Sequence, residues 1–190
     1  MGGARGEGAV PGGRLVLHRF NGDEEYGLDT AVVRVIRSYD GDADAEVTVW
    51  FEALADPDAA RRCEDTVDAG AAPSAEVGVA MTAAEADIDR LVGRTFLMPG
   101  VAEGEDSAMS LLYYFEHEPL RDNRITVVAR DGELLRLRWT GECDDVNFYD
   151  GSKAPTRLEI EGDFLFRDAD GRPPARSERK TPTAPSPPLA

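Results

Sequence analysis

The residues with most chemical potential fall in one run, Cys143-Asp144-Asp145-Val146-Asn147-Phe148-Tyr149-Asp150-Gly151, which gathers three aspartates, an amide and two aromatic rings. Hard cations such as Ca2+ need several oxygen ligands on a tight loop, and Asp144, Asp145, Asn147 and Asp150 offer them. The spacing departs from the EF-hand pattern, because Asp150 stands where that loop needs its glycine and no bidentate Glu closes it. An acidic turn in which Asp and Asn side chains bond nearby backbone N–H groups accounts for the same residues, so no metal is assigned. Phe148 and Tyr149 either pack over an open end of a sheet or face a partner. If Tyr149 is exposed beside the carboxylates, the loop is a recognition surface. The candidate binding residues are therefore Asp144, Asp145, Asn147, Tyr149 and Asp150.

Other reactive groups are scattered. His18, His117, Cys63 and Cys143 are the right types for a Cys2His2 zinc site, but none stands in a local Cys-x-x-Cys or His-x3-His arrangement. His117 lies between Glu116 and Glu118, yet in a strand both neighbours point to the face opposite the imidazole. There is no Gly-x-Ser-x-Gly, no phosphate loop and no dinucleotide fingerprint. No catalytic residue and no cofactor follow from the sequence, and the balance is against an enzyme.

The elements that must position these groups read as strands. Residues 124–166 contain RITVVAR, ELLRLRWT and RLEIEGDFLF, three alternating runs separated by turn chemistry. A three-residue loop Arg130-Asp131-Gly132, with Gly132 at positive φ, sets Val127 opposite Leu135 and Ile125 opposite Leu137, and makes one face apolar. Arg136 and Arg138 are then expected to meet Glu159 and Glu161 across strands. Residues 14–20, 30–37, 46–54, 77–81, 94–98 and 107–117 read as further strands. Asp56-Pro57 has the form of a helix start for residues 59–63, and Thr82-Ala83-Ala84-Glu85 has capping-box spacing ahead of a helical face at Ala84, Ile88, Leu91 and Val92. Gly93 is the expected stop of that helix.

The fold class is mainly β, a single antiparallel β-sandwich or barrel with one or two short helices. A disordered lead is expected over residues 1–13, the β domain over 14–167, and a disordered Pro/Arg-rich tail over 168–190.

The 190 residues suit one domain, and their formal net charge is −16. From residue 171 onward Arg172, Arg176, Arg179 and Lys180 stand against Glu178, a net +3 that leaves −19 on the rest. Such a body disfavours nucleic-acid binding, which relies on Lys and Arg at phosphates. Abundant Ala, Gly and Asp with only two lysines suit a bacterial, high-GC or salt-adapted source, and the acidity by itself promotes solubility. No signal-peptide pattern opens the chain and no apolar run has membrane-spanning length, so a cytoplasmic protein with no membrane contact is expected. The expected function is non-catalytic: an acidic β domain that binds a protein partner, a basic one suiting its charge, in the style of immunity or antitoxin inhibition. Two alternatives stand beside it. One is a small-ligand or sugar-binding barrel lined by Trp50, Tyr113, Tyr114 and Trp139, and the other is a carboxylate-dependent hydrolase.

Overall fold

The structure, a computed structural model, describes residues 12–37, 46–62, 72–98, 110–146 and 151–168. Alternating apolar and polar residues produce ten strands: β1 (Gly13–Arg19), β2 (Gly22–Arg37), β3 (Glu46–Arg62), β4 (Ser74–Thr82), β5 (Thr95–Met98), β6 (Ser110–Tyr114), β7 (Glu116–Pro119), β8 (Arg121–Asp131), β9 (Leu134–Cys143) and β10 (Thr156–Arg167). Among the described residues one short helix, α1 (Ile88–Leu91), lies between β4 and β5. The strands form one sheet in the order β5-β8-β9-β10-β1-β2-β3-β4-β6-β7, with antiparallel neighbours. Its end strands β5 and β7 do not pair with each other, so the sheet is open. The expected mainly β architecture is the one the chain adopts.

β10 also meets β2 in parallel, with Leu165 opposite Val32. The cause is length: β1 has 7 residues and β10 has 12, so the far half of β10 runs past β1 and reaches the next strand. Gly13 and Gly162 face each other where this begins, and a Cβ on Gly13 would lie 2.8 Å from the Glu161 carbonyl oxygen. The Gly12 carbonyl accepts from the Asp163 N–H at 3.0 Å. Gly13, placed by the sequence reading in the lead of residues 1–13, is the first residue of β1, where close backbone approach excludes a side chain. Residues 1–11 and 169–190 lie outside the described residues.

The sheet rolls until its inner face meets itself. Phe51 of β3 and Phe96 of β5 stand 5.7 Å apart between ring centroids, and the buried apolar residues form one cluster. Side chains tie β6 to β8 and β9. Asn123 Oδ1 accepts from Trp139 Nε1 at 2.9 Å while its amide Nδ2 donates to Ser110 Oγ at 2.7 Å, all of them buried. Gly141 makes room, since a Cβ there would stand 2.8 Å from Asn123 Oδ1.

Several local expectations are corrected. Between β8 and β9, Asp131 pairs with Leu134, so the loop is the two residues Gly132 and Glu133, with Gly132 at φ 60°. A register shift between Val127 and Ala129 then sets Val127 opposite Leu137 and Ile125 opposite Trp139. The extra residue is accommodated inside the strand rather than at the turn, and because the pairing moves by an even number the apolar face is kept. The charge ladder shifts with it: Arg138 meets Glu161 at 3.5 Å as expected, but Arg136 meets Asp163 at 2.7 Å instead of Glu159. Residues 59–62 continue β3 rather than starting a helix, since pairing with Glu24 and Glu25 of β2 prevails over the local Asp-Pro signal. Glu85 and Thr82 do exchange capping-box bonds, at 3.1 and 3.3 Å, but around a turn; the helix cap is Asp87, whose side chain accepts from the Asp89 N–H. Ile88 and Leu91 are buried as expected, whereas Ala84 and Val92 are exposed, and Gly93 at φ 83° stops the helix.

Asn123→Ala leaves the Trp139 indole N–H and the Ser110 hydroxyl buried without their partner, at about 1–3 kcal/mol for each such group. Urea unfolding is expected to show a loss of about 2–4 kcal/mol, and a loss below 1 kcal/mol would mean that these bonds do not hold β6 to β8.

Candidate functional site

The connection after β9 divides its acids. Asp144 is exposed and ion-paired to Arg121 at 2.9 Å, while Asp145 is fully buried. Asn147, Phe148, Tyr149 and Asp150 lie outside the described residues. Asp145 is already engaged, because its Oδ2 accepts from the Thr156 hydroxyl at 3.0 Å and its Oδ1 lies 3.5 Å from Arg19 Nη2. It therefore acts as the inner anchor of the connection.

Arg19 is the centre of this arrangement. It ends β1 with its side chain inside the domain, where Nη1 donates to Glu24 Oε1 at 2.9 Å and Nη2 to the Val146 carbonyl at 2.9 Å. Glu24, completely buried on β2, accepts from the Tyr26 hydroxyl at 2.6 Å and from the Tyr114 hydroxyl at 2.9 Å. The guanidinium also lies over the Tyr114 ring, 5.3 Å from its centroid. Burial alone would lower the Arg19 pKa, but the bond and charge of Glu24 raise it, so the cation is retained. Burial and then the Glu24 charge push the Tyr114 phenol up, so it stays a neutral donor. One guanidinium thus joins β1, β2, β6 and the connection after β9.

Tyr114 lies in the hairpin of β6 and β7, whose outer side is exposed. Tyr114 pairs with Glu116, so Phe115 alone forms the tip, at φ 66°. A bulky residue at positive φ is strained, and this one is 50% exposed, with its ring edge-on to that of Tyr114 at 5.4 Å between centroids, so local conformation does not favour a phenylalanine here. Next to it Tyr113 is 40% exposed, with its ring 5.1 Å from that of His117. With Ser74, Glu76 and Leu111 these two rings line a cleft of about 270 Å³ on the outer face of β4, β6 and β7. Glu116 and Glu118 pair with the buried residues Tyr114 and Leu112, and so stand on the face opposite His117, as strand alternation predicts.

The inner face of β7 is electrostatically unfavourable for anions. Burial, followed by the charges of Asp144 and Glu116, raises the Glu118 pKa above its ordinary 4.5. Cys143 is buried beside it, and burial with the Glu118 charge pushes the thiol to about 12, which leaves it protonated and unreactive at neutral pH. His18 bonds Asp23 at 2.9 Å and lies 3.5 Å from Glu159, far in the sheet order from His117. Among the described residues no three His, Cys, Asp or Glu side chains converge to hold a metal ion. The aromatics expected to line one cavity are dispersed: Trp139 and Tyr114 are buried in the core, and Tyr113 faces outward.

Sequence reasoning placed the candidate site on the loop and missed both the Arg19 network and the β6–β7 tip. A signal was present in the run Tyr113-Tyr114-Phe115, where strand alternation forces neighbouring aromatics onto opposite faces. Comparison with family models, curated proteins and solved structures found no match to this chain.

Arg19→Met leaves two buried carboxylates without their cation and is expected to cost about 3–5 kcal/mol in urea unfolding. Tyr26→Phe removes one bond to Glu24 and is expected to cost about 1 kcal/mol. Equal losses for the two variants would refute the central role of Arg19.

Because the folded state holds the Glu118 proton to higher pH than the unfolded chain does, the stability linked to it is full below the ordinary glutamate value of 4.5 and is lost as pH rises through the folded value. Glu118→Gln is therefore expected to raise Tm relative to the native protein more at pH 7 than at pH 4. A difference in Tm that stays constant with pH would count against the assignment.

Proposed function

We propose that this protein is a non-catalytic binding domain that engages a basic protein partner through the β6–β7 tip and the acidic surface beside it. The observation that carries this reading is Phe115, a half-exposed aromatic at φ 66° where folding favours a small residue. Strain held at an exposed apolar side chain is characteristic of surfaces kept for contact. The adjacent Tyr113 extends the apolar contact area, and a net charge of −16 favours encounter with a cationic protein. The acidic connection reaches the same end of the sheet through Asp145 and Arg19, which also bonds the β6–β7 hairpin. Inhibition in the style of an immunity protein or antitoxin is one use of such a surface, because a tight acidic cover can block a basic active protein.

The test replaces Phe115 with a photo-crosslinking phenylalanine analogue and irradiates the protein in extracts of its source cells. A discrete crosslinked protein of basic charge is expected, with a yield that falls as salt is raised. In competition with excess unlabelled protein, native competitor should suppress the adduct and a Phe115→Asn competitor should not. No discrete adduct, or equal suppression by both competitors, would overturn the reading. Asn accepts the left-handed conformation, so Phe115→Asn is expected to leave Tm unchanged or higher. A marked fall in Tm would show that Phe115 is there for stability.

A further inference from the structure

We infer that the cleft between Glu76, Tyr113 and His117 receives an arginine side chain of the basic partner protein. The inference rests on the reading of the β6–β7 hairpin as a contact surface and assigns that surface its recognition chemistry.

The register of the sheet builds the cleft. Ser74 of β4, Tyr113 of β6 and His117 of β7 stand directly opposite one another in one row, and Glu76 and Leu111 form the next row on the same face. Their chain neighbours Ala75 and Leu112 are fully buried, so strand alternation turns these five side chains outward. Glu76 and Tyr113 are diagonal neighbours across β4 and β6, a spacing within reach of aromatic and long side chains. The cleft holds about 270 Å³. Small-molecule sites commonly hold about 300–1,000 Å³, so this one suits a single side chain.

Charge selects a cation. Glu76 stands directly opposite Glu52 of β3, and like charges in that relation repel. Arg34 compensates Glu52 at 3.3 Å, whereas Glu76 has no ion pair among the described residues. The sheet therefore keeps one acid whose repulsion an incoming cation relieves. Shape selects arginine over lysine. The Tyr113 ring is 40% exposed and stands 5.1 Å from the His117 ring, so a planar guanidinium can stack on aromatic surface while its N–H fork donates to the Glu76 carboxylate. An ammonium has the charge without the flat face. Phe115 follows Tyr113 by two residues in the same hairpin, so a partner held at the tip lies beside the cleft.

The test titrates the full-length protein with N-acetyl-arginine methylamide, an arginine blocked at both ends, and follows backbone amide shifts by NMR. Saturable binding in the millimolar range is expected, with the largest shifts at residues 74–76 and 111–117. Citrulline blocked in the same way has the shape without the charge and is expected to bind at least about ten-fold more weakly, and blocked lysine at least about three-fold more weakly. Glu76→Gln and Tyr113→Leu are each expected to weaken arginine binding about five-fold or more. Glu76→Gln is also expected to keep or raise Tm, because it removes one of two opposed like charges. Shifts that do not saturate, equal binding of citrulline or lysine, binding unchanged by either substitution, or a lower Tm for Glu76→Gln would overturn the inference. Free arginine, whose carboxylate meets the same acids, is expected to bind no more tightly than the blocked residue. Tighter binding of the free amino acid would assign the cleft to a small molecule and overturn the protein as its source. The two readings fail separately. A Phe115 crosslink without arginine binding removes only the cleft assignment, and arginine binding without a crosslink leaves a guanidinium site and removes the partner.

Discussion

The fold depends on satisfying one buried guanidinium. Arg19 enters the domain at the end of β1, where charge is costly unless compensated, and Glu24, Tyr114, and Asp145 with the Val146 carbonyl supply that compensation from three separate parts of the chain. None of these groups can move without leaving another buried and unpaired. The network therefore fixes the turn between β1 and β2, the tip of β6 and β7, and the start of the connection after β9 as one unit.

This constraint explains why opposite faces of a short hairpin have different characters. Tyr114 must point inward to donate to Glu24, so strand alternation sends Tyr113 outward and the single-residue tip leaves Phe115 in solvent. Away from this tip several charges are paired across strands. Arg136 with Asp163, Arg138 with Glu161 and Arg34 with Glu52 form cross-strand pairs that act as framework. At the β7 edge Glu116 and Glu118 have no such pair among the described residues, and burial, followed by the charges of Asp144 and Glu116, raises the Glu118 pKa.

Much of the fold was legible in the sequence because period-2 alternation is a local property. Val47, Val49 and Phe51, and Leu158, Ile160, Phe164 and Phe166, are buried as their spacing predicts. Turn chemistry was less reliable. Gly132 does adopt positive φ, yet the hairpin loop lies one residue further on, because a strand irregularity absorbed the register difference. Asp56-Pro57 suggested a helix, and pairing of β3 with β2 prevailed over it, a tertiary effect that no local signal could report. The acids of the 143–151 run were legible as a cluster, but their separate fates were not. Asp144 meets Arg121 from β8, and Asp145 meets Arg19, 126 residues away.

The sequence by itself determined the strand-rich architecture, the acidic body and the presence of unusual side chains at Tyr113-Tyr114-Phe115, since alternation, composition and identity need no partner to be read. Only the tertiary structure decided which of those side chains became framework and which became surface. Burial and hydrogen bonding depend on groups brought together from distant strands, and a single arginine on β1 assigns Tyr114 and Asp145 to the interior while the same packing leaves Tyr113, Phe115 and Asp144 in solvent.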